Sequence, residues 1–137
     1  ALDRSLSYIP ADSDCAAAVQ LARGVVGQAD GGICIRKHYP DMSVVHTVNN
    51  LALVVWALLS HPDDFSAAIG DVVAAGLDTD CNGATVGALW GLQDKTIPDF
   101  WSAPWGGNVG LSLAGTDTVN VAELIDRTVA VTVNLSE

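Results

Sequence analysis

The chain has 137 residues, half of them hydrophobic, and a mean hydropathy of +0.33, which excludes a disordered tail and suits one compact domain with a modest core. Sixteen acidic residues against six basic ones give a net charge of -10. Such a surface repels phosphate backbones and anionic lipid, so neither nucleic acid nor a membrane is expected as a partner, and cations are the natural ligands.

Cys15, Cys34 and Cys81 form no CxxC pair and are odd in number, which is neither a disulfide framework nor a zinc signature. A reducing compartment follows, and a cytoplasmic location is expected. No basic start followed by an apolar run is visible, and the longest apolar run, Leu51 to Leu59, is too short to span a bilayer.

Helical spacing dominates, with no strong strand alternation before the C-terminal third. The first helix is expected over Asp12 to Gln28, where Asp12, Ser13 and Asp14 crowd the N-terminus and meet the free backbone amides. A short stretch from Ile33 to His38 follows, closed by Pro40. Val45 to Leu59 is apolar nearly all round, as a central buried helix requires, and Ser60-His61-Pro62 ends it. Asp63 or Asp64 then caps a helix over Phe65 to Ala75, whose apolar face is Phe65, Ala68, Ile69, Val72 and Val73, with Gly76 as its stop.

The next helix is expected from about Asp80 to Leu92. Beyond it, Ile97 to Gly107 reads as a loop held by Trp101 and Trp105, and Val109 to Ala114 as a short strand or an irregular turn. Asn120-Val-Ala-Glu123 is a capping box that opens a last helix through about Val131. The fold class is therefore all-α.

The segment GLDTDCNGATVGALWGL, residues 76–92, carries the chemistry. On a helix, residues two apart diverge by about 200°, whereas in extended backbone they point the same way. Asp78 is accordingly expected in a nearly extended turn, with Asp80 at the cap of the helix. Two carboxylates that close call for a positive partner, which helix amides supply in part and a hard divalent cation supplies further. Oxygen ligands favour magnesium, manganese or calcium over zinc. The competing reading is that Asp80 caps the helix while Asp78 is solvated.

Gly83, Gly87 and Gly91 recur every fourth residue, at a cost of roughly 0.8–1 kcal/mol each against alanine. Close approach of another backbone, by ordinary helix packing or by a ligand, offsets such a cost. His46, Asn49 and Asn50 share one face at the head of the central helix, where they either bind a polar ligand or satisfy loop backbone. Cys81 is a soft donor beside hard ones, or an inert buried thiol.

The strings HTVNNLALVVWALL at 46–59, DDFSAAIGDVVAAGLDTDCNGATVGALWGL at 63–92, IPDFW at 97–101 and ELIDRTVAV at 123–131 resemble the C-terminal half of an ADP-ribosylglycohydrolase. The similarity runs from about Ile9 to Val131. It implies an all-helical bundle around a dinuclear magnesium or manganese centre that hydrolyses the bond joining ADP-ribose to a protein or a small molecule. It also implies Asp78 and Asp80 as catalytic metal ligands, with Cys81 where a further ligating hydroxyl often stands; His46, Asn49 and Asn50, from their shared face, are the expected substrate-binding residues.

The family's N-terminal Thr-Asp-Asp motif is absent, and PDDF at 62–65 is the nearest string. Residues 1–137 are thus expected to be a single helical domain or the C-terminal half of a larger one, needing a companion chain or an N-terminal segment to complete the site. The alternatives are a catalytically inactive binding or structural module of the same fold and, last, a calcium-binding helical protein, which lacks the spaced acids of an EF-hand.

Overall fold

The computed structural model describes residues 1–93 and 95–135. They are mostly helical and divide into two compact units, Ala1–Thr96 and Ile97–Glu137.

The first unit holds α1 (Leu2–Leu6), α2 (Asp14–Gly24), α3 (Gly31–His38), α4 (Thr47–Ser60), α5 (Phe65–Ala74) and α6 (Thr79–Gly91). Its organising element is α4, against which α2, α3, α5 and α6 all pack. The near-continuous apolar sequence of α4 explains this: Val48, Leu53, Val54, Val55 and Trp56 are all buried, as a helix surrounded on every side demands.

Caps set the helix starts. Ser13 Oγ accepts from the Ala16 amide at 3.2 Å, so α2 begins later than its cluster of three polar residues suggested. Asp64, not Asp63, caps α5, its Oδ1 accepting from the Ala67 amide at 2.9 Å. His46 caps α4 through Nδ1, which accepts from the Val48 amide at 3.2 Å.

In this unit, α1 and the start of α3 depart from the sequence reading. Leu2–Leu6 forms α1, joined to α2 by the ion pair of Asp3 with Arg23. Gly31 and Gly32, poor helix formers, belong to α3. A Cβ on Gly31 would strike the Trp56 indole nitrogen, and one on Gly32 would lie 2.8 Å from the Ala75 Cβ, so the start of α3 approaches α4 as only glycine permits.

Trp56 and Trp90 are buried, and among the described residues their indole N–H groups find no acceptor. The Trp90 ring meets Phe65 edge to face at 5.6 Å and carries the Lys95 ammonium 5.2 Å from its centroid.

The second unit holds α7 (Asp99–Ser102), a 3-10 turn (Ala103–Trp105), β1 (Asn108–Leu113), β2 (Thr116–Asn120) and α8 (Val121–Leu135). The stretch 97–107 is thus partly helical, and its Trp105 is 60% exposed, so this ring does not pack beneath a loop. The residues near 109–114 do form a strand, paired antiparallel with β2 in the register Asn108↔Asn120 and Val109↔Val119, with an irregularity after Gly110.

The cap at Asn120 is present: its Oδ1 accepts from the amides of Ala122 and Glu123 at 3.0 and 3.3 Å. Among the described residues, no helix is long and apolar enough to cross a membrane.

Candidate metal centre

Gly76 and Leu77 reverse the chain between α5 and α6. Both take left-handed backbone, at φ 85 and 63. Glycine does so freely, whereas for leucine this conformation costs about 1–2 kcal/mol. The turn is secured from outside by Arg36, whose Nη1 donates to the Ala75 carbonyl at 3.3 Å.

Asp78 follows with φ -85 and ψ 73, and its carbonyl accepts the first helical bond, from the Asn82 amide at 2.9 Å. Asp78 is therefore the cap residue, and Asp80 lies within the first turn of α6. This corrects the expectation that Asp80 caps the helix: Thr79 already has helical backbone, so the non-helical position falls one residue earlier than Thr79. The two carboxylates converge because one precedes the helix and the other lies inside it, not because both sit in extended chain.

The Asp78 side chain makes no capping bond. Oxygens of Asp78 and Asp80 and the Sγ of Cys81 lie within 4.8 Å of one another. Asp78 is half-buried, while Asp80 and Cys81 are exposed. A hydrogen bond to Asp78 holds the Cys81 thiol above its usual range, aided by the charge of Asp78, by desolvation and by the charge of Asp80. Among the described residues the ion pairs engage other acids, and no lysine or arginine neutralises Asp78 or Asp80.

Behind this cluster stands a set of buried amides. Asn50 Oδ1 accepts from the Asp78 amide at 3.2 Å and from Asn82 Nδ2 at 2.6 Å. Asn50 Nδ2 donates to the carbonyls of Val44 and His46, both at 2.8 Å, and to Asn49 Oδ1 at 3.1 Å. Asn49 Nδ2 donates to the Ser43 carbonyl at 3.0 Å. The polar face at the head of α4 thus satisfies loop backbone and, through Asn50, anchors the aspartate turn.

Asn82 is the residue that the sequence reading passed over. It sits four residues after Asp78 on a helix of small side chains, and a buried amide there needs a partner.

A cleft of about 590 Å³ runs along α1, α2, α4 and α6. Leu6, Val19, Leu51 and Val54 give it apolar walls, while Asn50, Asp78, Cys81 and Asn82 make it polar where α6 begins. Asn50 lines this cleft. His46 does not; it borders a separate depression with Tyr39 and Met42, and Asn49 lines neither.

The glycine stripe of α6 is only partly a packing device. A Cβ on Gly83 would lie 3.3 Å from Val73 Cγ2 and one on Gly87 4.0 Å from Ile69 Cδ1, so α5 approaches the first glycine closely and the second ordinarily. Gly91 faces open space.

The donor set can be tested against a divalent ion. Ligands on one ion of zinc size, at bond lengths of 2.0–2.3 Å, stand at most about 4.5 Å apart, so small side-chain rotations would bring these three atoms onto a common centre. The residues fit such a group: two hard oxygen donors, one sulfur, and the positive end of a helix dipole to hold anionic ligands in place.

Comparison with known proteins completes the picture. No curated protein and no solved structure matches the chain. The family model described as ADP-ribosylglycohydrolase matches residues 1–133, nearly the whole length and beyond the limits that the quoted strings suggested. The chain belongs to the ADP-ribosylglycohydrolase family, a family of glycosidase-type hydrolases.

Proposed function

We propose that the chain serves a metal-dependent hydrolase that cleaves the glycosidic bond of an ADP-ribosylated protein or small molecule, with Asp78 and Asp80 as catalytic metal ligands. The observation that carries this reading is the convergence of Asp78, Asp80 and Cys81 within 4.8 Å, with no ion pair from a lysine or arginine to either carboxylate among the described residues. Two carboxylates at that range repel one another, and a cation between them turns the repulsion into attraction.

In the overall reaction the bond between the anomeric carbon and the leaving nitrogen or oxygen breaks, water adds its hydroxyl to the carbon, and a proton goes to the leaving atom. Magnesium or manganese ions would supply Lewis-acid chemistry, polarising and orienting oxygen groups. The chain's own residues do the positioning. Asp78 and Asp80 would hold the ions, and Asn50 fixes the Asp78 backbone at the polar end of the cleft.

Among the described residues this is the one cluster of metal-binding type, and three donors are few for a dinuclear centre. A companion chain or an N-terminal segment would supply the rest, and ADP-ribose release by this chain alone should be slow. The three free cysteines agree with a cytoplasmic setting.

Calorimetric titration with Mn²⁺ tests the reading. The Asp80→Ala variant should bind at least about tenfold more weakly than the parent. Equal affinity in the two proteins would sink the metal assignment, and rapid ADP-ribose release by the chain alone would sink the shared-centre part.

A further inference from the structure

An imidazole stands at each end of the central helix α4, His46 before it and His61 after it. The two rings make different kinds of bond. His46 Nδ1 accepts from the Val48 amide at 3.2 Å, and an imidazole nitrogen accepts only while it carries no proton. The neutral ring must therefore hold its one proton on Nε2, and a second proton, arriving on Nδ1, turns the acceptor into a donor aimed at another donor. His61 Nε2 lies 2.7 Å from Asp71 Oδ2 on α5, a contact that a protonated ring keeps because it still donates to the carboxylate. Acid thus removes the bond at the head of α4 and spares the one at its tail.

His46 also serves the aspartate turn. Its carbonyl accepts from Asn50 Nδ2 at 2.8 Å, and Asn50 Oδ1 accepts from the Asp78 amide at 3.2 Å. The side chain and the carbonyl of one residue thus join the start of α4 to the backbone that opens α6. The ring is exposed, so it exchanges protons with solvent directly. Tyr39 and Asp41 border the depression beside it, His38 meets Tyr39 edge to face at 4.8 Å, and Asp78 is reached through Asn50. At the other end, Asp71 is the partner of His61, and beyond Pro62 comes Asp63, paired with Lys95.

We propose that His46 is a pH-sensitive clasp: protonation in the ordinary imidazole range releases the head of α4 and, through Asn50, loosens the turn that carries Asp78. The clasp needs neither an ion nor a substrate, so it stands or fails separately from the metal reading.

NMR of the full chain without added metal tests this between about pH 7.5 and 5.5, where imidazoles ordinarily titrate. At the upper end the His46 ring nitrogens should show the neutral tautomer protonated on Nε2. On acidification the Val48, Asn50 and Asp78 amides should shift with the same midpoint as the His46 ring. The protection of the Asp78 amide, corrected for intrinsic exchange, should fall by about three- to tenfold, the loss expected of a missing cap. His46→Asn and His46→Ser keep a capping oxygen that does not titrate, so both responses should vanish in them, whereas His61→Gln should leave both in place.

A neutral His46 ring protonated on Nδ1 would overturn the clasp. So would an Asp78 amide that ignores the His46 titration, or one whose response survives in a folded His46→Asn or His46→Ser variant or disappears in His61→Gln. Circular dichroism establishes which variants are folded, and either His46 variant decides the question.

Discussion

Asn50 on the buried central helix is hydrogen-bonded to the backbone of Asp78, its Oδ1 lying 3.2 Å from the aspartate amide. The same oxygen accepts from Asn82 Nδ2, while the Asn50 Nδ2 donates to the Val44 and His46 carbonyls. Replacing Asn50 with alanine strands several buried partners at once and should cost about 2–4 kcal/mol, read by urea unfolding. Mn²⁺ binding should weaken in parallel, because the turn that aims Asp78 loses its anchor. A loss below about 1 kcal/mol would show that the amide cluster carries little of the stability.

Glycines in this chain divide by what a methyl group would meet. Gly70 lies inside α5 with open space around it, so Gly70→Ala should stabilise by up to about 1 kcal/mol. Gly32→Ala would press on the Ala75 Cβ and the Trp56 ring and should destabilise by about 1–3 kcal/mol. Chemical denaturation of the two variants should therefore shift in opposite directions.

A ligand that binds the folded chain must raise its melting temperature. At one hundred times the dissociation constant, a divalent ion adds about 2.7 kcal/mol. The melting temperature of the parent should climb with Mn²⁺ or Zn²⁺, and that of Asp78→Asn should not. An equal rise in both would place the bound ion elsewhere on the acidic surface.

The pH limits of stability have separate origins. Asp3 is held below the ordinary carboxylate range by its hydrogen bond and charge interaction with Arg23. Its contribution is present above the unfolded value of about 3.9 and fades as the pH falls through the lower folded value. The effect is small because the pair lies at the surface, and it is read as loosening of α1 in an acid titration followed by NMR. Tyr39 is raised by burial and by the charge of Asp14. The unfolded phenol ionises first, near pH 10, so stability falls as the pH rises past that point. Tyr39→Phe should flatten this alkaline limb in denaturant midpoints taken from about pH 8 to 11.

Long periodic segments made most of the helices legible. Val45 to Leu59 announced a central helix because nothing polar interrupts it after Asn50, and the observed Thr47–Ser60 differs only at its ends. The motif DTDC placed the candidate ligands, but not which aspartate caps the helix, since that depends on where the left-handed pair Gly76 and Leu77 releases the chain.

Helix α1 escaped notice because five residues carry too short a period to read, and its ion pair joins positions twenty apart. The start of α3 escaped because two glycines argue locally against a helix, while the Trp56 ring that demands them lies elsewhere in the sequence. Strand β2, with the sequence TDTVN, has no apolar alternation of its own and exists through its register with β1. Helix α8 runs past Val131 to Leu135 although its end is rich in β-branched residues; the hydroxyls of Thr128 and Thr132 there donate to carbonyls one turn back.

The indoles at 56 and 90 give the molecule an optical gauge of its own. Buried and donating to no acceptor among the described residues, they should fluoresce at shorter wavelength than the exposed ring at 105, which emits as in water. An aqueous quencher such as iodide would darken the outer fluorophore first, leaving light from the helical core to report, unlabelled, on whatever disturbs it.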